Sequence, residues 1–155
     1  DAKIGLDMLL KKNKFSKGLL NNYFIKKFLN PPFRNDFARS ISKYATSCID
    51  LSDGLIVDSS KLALNSNCSL NINSQAIPIS IKAKNLIKKK ATSLYDLIGA
   101  GDDYELAFSV NENNLKIIEK IAAKHKVKIS VIGKFSKGKK VSLDNKVFSR
   151  GYSHF

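Results

Sequence analysis

A chain of 155 residues with 43% apolar and 26% charged residues has the size and balance of one globular domain with a real core. No apolar run approaches the roughly 18 to 20 residues of a membrane span, which excludes a membrane-crossing helix in this sequence. The net charge of +14 admits a nucleic-acid partner, but the only arginines are Arg34, Arg39 and Arg150, and bidentate or stacked readout of nucleic acid leans on Arg. The charge therefore reads as lysine-rich solvated surface, with attraction of anionic substrates such as nucleotides as a second consequence. A non-catalytic basic domain that binds nucleic acid stays as the alternative, marked by steep salt dependence.

The opening DAKIGLDMLL goes straight into an apolar pattern and reads as the interior of a longer chain. Helices are predicted over residues 4–12 and 17–29, the second with Leu19, Leu20, Tyr23, Phe24 and Phe28 at helical spacing. Pro31 and Pro32 end it, and a short helix follows over 36–44. Residues 45–49, small and apolar, predict a strand buried on both faces. A helix runs from Gly54 to about Ser66 with Leu55, Ile56, Leu62 and Ala63 on one side. Leu70 and Ile72 alternate as in a half-exposed strand. Pro78 opens a Lys-rich helix near 79–90, and Lys88 to Lys90 meet the negative end of its dipole. Tyr104 to Val110 predicts a further strand. A helix then carries Leu115, Ile118, Ile121 and Ala122 on one stripe, with His125 as plain helix surface. VKISVIG predicts a strand ending at Gly133, and KKVSLDNKVFS a hairpin turning at Asp144–Asn145. Cys48 and Cys68 have no CxxC or Cys/His spacing, read as small buried apolar residues, and point to a reducing, cytoplasmic compartment. Alternating strands and helices give an α/β (α+β) domain with a mixed sheet and helices packed mainly on one face.

Three stretches carry chemistry. The first is Asp50-Leu51-Ser52-Asp53, where a strand end meets a helix start. A helix N-terminus offers unpaired N–H groups to phosphate. Carboxylates there repel phosphate unless a cation sits between them, and Mg²⁺ is held by one or two carboxylates plus waters and phosphate oxygens. On that reading Asp50 and Asp53 hold Mg²⁺ and Ser52 donates to a phosphate oxygen. On the plainer reading Asp53 caps the helix and Ser52 stabilises the turn, and the spacing alone leaves both open. The second stretch is GAGDDYELAF, where Gly99 and Gly101 precede Asp102 and Asp103 at a strand start; a turn built from common turn residues explains it equally. The third is the terminal SRGYSHF, whose Tyr152, His154 and Phe155 should be docked on something.

In this order, IDLSDG, GAGDDYEL and the terminal GYSHF resemble the motifs of thiamine-monophosphate kinase, and DAKIGL is similar to the segment joining that family's two halves. The likeness spans essentially all residues and corresponds to the C-terminal half of the family's chain. The wider superfamily includes aminoimidazole-ribonucleotide synthetase, selenophosphate synthetase and a hydrogenase maturation factor, so another ATP-dependent enzyme of that group is the nearest alternative. The resemblance implies a single C-terminal domain, residues 1–155, of a two-domain kinase whose N-terminal ATP- and Mg-binding domain is absent from this sequence. It implies Mg²⁺-dependent transfer of the ATP γ-phosphoryl to thiamine monophosphate, in a homodimeric cytoplasmic enzyme, with this half inactive alone. It implies Mg²⁺ on Asp50 and Asp53, ATP on Ser52, and the thiamine group on Asp102 and Tyr152, with turnover depending on Asp53. The family usually has Glu at the position of Asp102 and Gly at that of Ala100. Asp is one methylene shorter, so its contact is longer or bridged by water.

Overall fold

The computed structural model describes residues 1–10 and 19–147, with the backbone alone at 19–21. Apart from two single 3₁₀ turns, thirteen helices and strands follow in order among the described residues: α1 (Ala2–Leu9), α2 (Leu19–Leu29), α3 (Asn35–Ile41), β1 (Ala45–Asp50), α4 (Leu55–Asn65), β2 (Cys68–Ile72), α5 (Ile81–Lys88), α6 (Leu94–Ile98), β3 (Leu106–Val110), α7 (Leu115–Lys124), β4 (Gly133–Lys137), β5 (Val141–Leu143) and β6 (Lys146–Val147). Local chemistry sets several of the helix boundaries. Ser80 caps α5 by accepting the Ala83 N–H. Ser93 and Asp96 form a reciprocal capping box on α6, a short helix that the apolar pattern did not announce. The hairpin turns at Asp144 and Asn145 as expected, both with positive φ (51° and 65°), the conformation a two-residue type I′ turn requires.

The architecture is mixed α/β, but the strands divide into two sheets. β1 and β3 form an antiparallel pair, and β4-β2-β5-β6 form a mixed sheet in which only β2 and β5 run parallel. Three apolar clusters form the core, two joining helices to strands and one joining helices alone. Ile56, Ala63, Leu70, Ile72, Val141 and Leu143 join α4 to the four-stranded sheet. Ile4, Phe24, Ala83 and Leu97 join α1, α2, α5 and α6. Phe37, Ile41, Ile118 and Ala122 bind α3 and α7 to Leu106, Phe108 and Val110 of β3. A cavity of about 880 Å³ lies between the sheets, lined by Leu55, Leu62, Ile72, Phe108, Ile129 and Phe135. It reaches Leu51, Asp103 and Glu105.

Several expectations need correction. β1 is not buried on both faces: Ala45, Ser47 and Ile49 are half-buried and Thr46, Cys48 and Asp50 exposed. A two-stranded sheet packed on one face leaves every second residue in water. The cysteines are accordingly not core residues, Cys48 being exposed and Cys68 half-buried. The strand expected at 127–133 begins only at Gly133, where the ladder with Ile72 starts. Residues 127–132 lie outside any strand, although Val127 and Ile129 still pack on the α3–α7 cluster. Alternation reports a half-buried extended surface, not a pairing partner. His125 is not plain surface: Nε2 lies 2.9 Å from Ser40 Oγ, and the ring meets Phe37 edge-on.

Ile72 is fully buried in the central strand of the larger sheet. Ile72→Ala should lower unfolding free energy by about 2–5 kcal/mol, read from urea titration.

Candidate functional site

Two of the motifs come together because β1 and β3 stay paired beyond their ends. Asp50 sits opposite Leu106 in the register. The pairing then continues through Leu51 N–H to Glu105 O (2.8 Å), Tyr104 N–H to Leu51 O (2.9 Å) and Asp102 N–H to Ser52 O (3.1 Å). Glycines make room for this. A Cβ on Gly101 would lie 2.0 Å from the Ser52 carbonyl oxygen, a contact no side chain allows. Gly54 has φ +116°, and a Cβ there would lie 3.0 Å from the Gly99 and Ala100 carbonyl oxygens. Asp102 and Tyr104 themselves adopt positive φ (66° and 48°), which strains non-glycine residues by about 1–2 kcal/mol each.

The helix N-terminus of α4 answers the capping question. Gly54 is the N-cap and no side chain caps from that position. Asp58, from the first turn, reaches back instead. Its Oδ2 accepts the N–H groups of Asp53 (2.9 Å) and Gly54 (3.1 Å), and the side chain is fully buried. Asp53 is thereby released from capping. Its carboxylate is 58% exposed and paired with Lys61, which also donates to Asp58 Oδ1 at 2.8 Å. Hydrogen bonds to these two carboxylates, Asp53 first, push the Lys61 pKa well up and keep the ammonium charged. Among the described residues the Asp50 carboxylate makes no ion pair or hydrogen bond, and the Ser52 hydroxyl makes no hydrogen bond. Partial burial and then the Asp50 charge push the Cys48 thiol up, which keeps it protonated and unsuited to nucleophilic attack.

The two adjacent aspartates of the second motif have different work. Asp103 accepts the backbone nitrogens of Asp1 and Ala2, both at 3.2 Å, and anchors the start of α1. Asp1 in turn accepts from Tyr23 Oη (2.8 Å) and Ser80 Oγ (2.7 Å). Among the described residues the Asp102 carboxylate has a long 3.4 Å contact from the Tyr104 hydroxyl. Behind it, Arg34 grips Glu105 as a fork, Nε to Oε2 and Nη2 to Oε1 at 2.8 Å each, which pushes the Arg34 pKa up and ties the start of α3 to the site strand. The structure thus brings Asp50, Ser52, Asp53 and Asp102 to one pair of loops. Tyr152 lies outside the described residues, as do His154 and Phe155. Sequence reasoning missed Asp58, Lys61 and the Arg34–Glu105 fork. For Asp58 the signal was available: an acid in the first helical turn, where the dipole favours it.

Among the described residues no three His, Cys, Asp or Glu side chains gather as a metal cage. The donors present are two hard carboxylates, Asp50 at the end of β1 and Asp53 on the loop after it; among the described residues the first has no partner and the second only Lys61. That set fits Mg²⁺ delivered with phosphate oxygens and waters rather than a resident, fully protein-bound ion.

Residues 27–146 match the family model described as AIR synthase related protein, C-terminal domain. The chain is 37% identical over 160 residues to a thiamine-monophosphate kinase of Buchnera aphidicola subsp. Acyrthosiphon pisum (strain APS), covering 95% of this chain and 47% of that one. A solved structure, AaThiL complexed with AMPPCP and TMP, superposes with a TM-score of 0.79 at 28% identity, over 99% of this chain and 48% of that one. The thiamine-monophosphate kinase of Stenotrophomonas maltophilia K279a shares the fold, with a TM-score of 0.83 at 22% identity over 95% of this chain and 48% of that one. The chain spans about half the length of the curated relatives it matches.

The juncture of the two loops is tested at its tightest point. Gly101→Ala should cost at least about 1–3 kcal/mol, because the Ser52 carbonyl must move. Its amide hydrogens should exchange faster at Asp102 and Tyr104, read by mass spectrometry or NMR, while those of β2 stay protected.

Proposed function

The chain belongs to the AIR synthase related protein family as its C-terminal domain, and from that premise we propose that it is the C-terminal half of a thiamine-monophosphate kinase. The reaction would transfer the γ-phosphoryl of ATP to thiamine monophosphate, giving thiamine diphosphate and ADP. Likeness to kinases of that name supports the reading. So does the binding of AMPPCP and TMP by a relative of the same fold. The observation in this chain that carries it is the release of Asp53 from helix capping by Asp58, which leaves a carboxylate at a helix mouth whose partner among the described residues is one lysine.

Each residue's part follows from its chemistry. Asp50 and Asp53 would hold Mg²⁺, which when bound neutralises phosphate charge and orients the groups that react. Ser52, whose hydroxyl has no partner among the described residues, would donate to a phosphate oxygen. Asp102 would accept from the amine of the pyrimidine ring of thiamine, and Tyr152 offers an aromatic face to a flat cationic ring. Phosphoryl transfer needs positioning and charge neutralisation more than covalent chemistry, so no nucleophile is required of this chain. The N-terminal half of the enzyme would supply the remaining metal and nucleotide ligands and the homodimer contacts, in the cytoplasm, and these residues alone would be inactive. Among the described residues no helix is long and apolar enough to cross a membrane.

Asp53→Ala in the full-length chain should lower kcat by about two orders of magnitude or more, measured as thiamine diphosphate formed from thiamine monophosphate and MgATP. An unchanged rate would remove Asp53 from the site. Turnover with another acceptor but none with thiamine monophosphate would move the chain to a different branch of the superfamily.

A further inference from the structure

The network around Asp58 gives work to a residue outside both motifs, and this inference rests on the metal reading of Asp53. Lys61 lies on α4, two turns beyond the loop. Its Nζ donates to Oδ1 of Asp58 at 2.8 Å and to Oδ2 of Asp53. These two acceptors are unlike. Asp58 is fully buried and its other oxygen already holds two backbone N–H groups, so it is fixed. Asp53 is 58% exposed, and among the described residues its carboxylate pairs with Lys61 alone. A lysine paired only with a surface acid is easily lost to solvent, but this ammonium is pinned at its buried end. It therefore stands against the carboxylate that, on the metal reading, would also receive a divalent cation. An ammonium and a divalent ion cannot share one carboxylate oxygen at contact distance without strong like-charge repulsion.

We propose that Lys61 is a positioning residue of the metal site, a resident cation that holds the Asp53 carboxylate in place until a divalent cation displaces it. Asp58 is its anchor. The pairing keeps Asp53 from swinging into solvent and keeps the bare loop from gathering cations indiscriminately. Its cost is competition: the ammonium must leave Oδ2 before the metal can settle. A merely structural lysine predicts the opposite sign, since loosening the loop would weaken metal binding.

The test uses Mn²⁺ alone as the probe, titrated into the full-length chain and followed by the EPR signal of the free ion. Lys61→Met should tighten Mn²⁺ binding by about twofold to fivefold, the factor that corresponds to one exposed ion pair. Lys61→Arg, which keeps the charge and its donors, should retain the parent affinity. Because Lys61→Met leaves a buried carboxylate without its cation, the double variant Asp58→Asn/Lys61→Gln is titrated beside it with the same expectation. Unchanged or weaker binding in the neutral variants that fold overturns the proposal. Asp53→Asn separates the two levels of the argument. If it binds Mn²⁺ like the parent, the metal reading of Asp53 falls and the latch with it. If it loses Mn²⁺ while the neutral Lys61 variants do not tighten, the latch alone is wrong.

Discussion

The closeness of two backbones governs this site. Ser52 and Gly101 touch so tightly that a single methyl group would not fit between them, and everything functional is arranged around that contact. Three backbone hydrogen bonds extend the β1–β3 pairing into the loops, each worth about 0.5–1.5 kcal/mol net. Against them stand two non-glycine residues in the left-handed region, costing about 1–2 kcal/mol each. The balance is near zero. The juncture is thus held by what surrounds it: the Arg34–Glu105 fork on one side and Asp103 gripping the start of α1 on the other. Strain that yields no net stability is characteristic of places where geometry serves a ligand.

Electrostatics follows from the same geometry. A helix start attracts one acid for its own sake, and Asp58 fills that need from inside the first turn. The acid next to the helix start in sequence, Asp53, is then surplus to folding. Its surplus charge meets Lys61, so the loop rests with its cation supplied by the chain itself. On a surface carrying a net charge of +14, the local run of carboxylates is an exception, and it coincides with the meeting of both motifs.

What the sequence showed depended on how local the determinant was. The turn at Asp144–Asn145, the alternation of Leu70 and Ile72 in β2 and the start of α4 at Gly54 rest on residues within a few positions of one another, and all were legible. The exposure of Cys48 was not, because it depends on whether a further layer covers β1. The strand expected at 127–133 was displaced because alternation fixes which side chains are buried but not which edge is paired. At the site, Asp50, Ser52, Asp53 and Asp102 were legible as motifs, whereas Arg34 meeting Glu105 across 71 positions has no sequence spacing to announce it. The capping role given to Asp53 as the plainer alternative was reasonable chemistry assigned to the wrong acid: Asp58 does it.

Charge balance also explains why these residues would make half a catalyst on the proposed reading. Around the loop lie four carboxylates, Asp50, Asp53, Asp58 and Asp102, and among the described residues one lysine, Lys61, pairs with two of them, Asp53 and Asp58. A nucleoside triphosphate brings further negative charge to the same place, and a single divalent cation cannot offset both. The surrounding lysines are solvated and screened within about 8–10 Å at physiological ionic strength, so they favour encounter with an anion more than they stabilise it once bound. The missing neutralisation must come from cations held at close range by other groups. A site that presents carboxylates toward a phosphate-bearing substrate is therefore complete only when a second surface contributes more metal ligands.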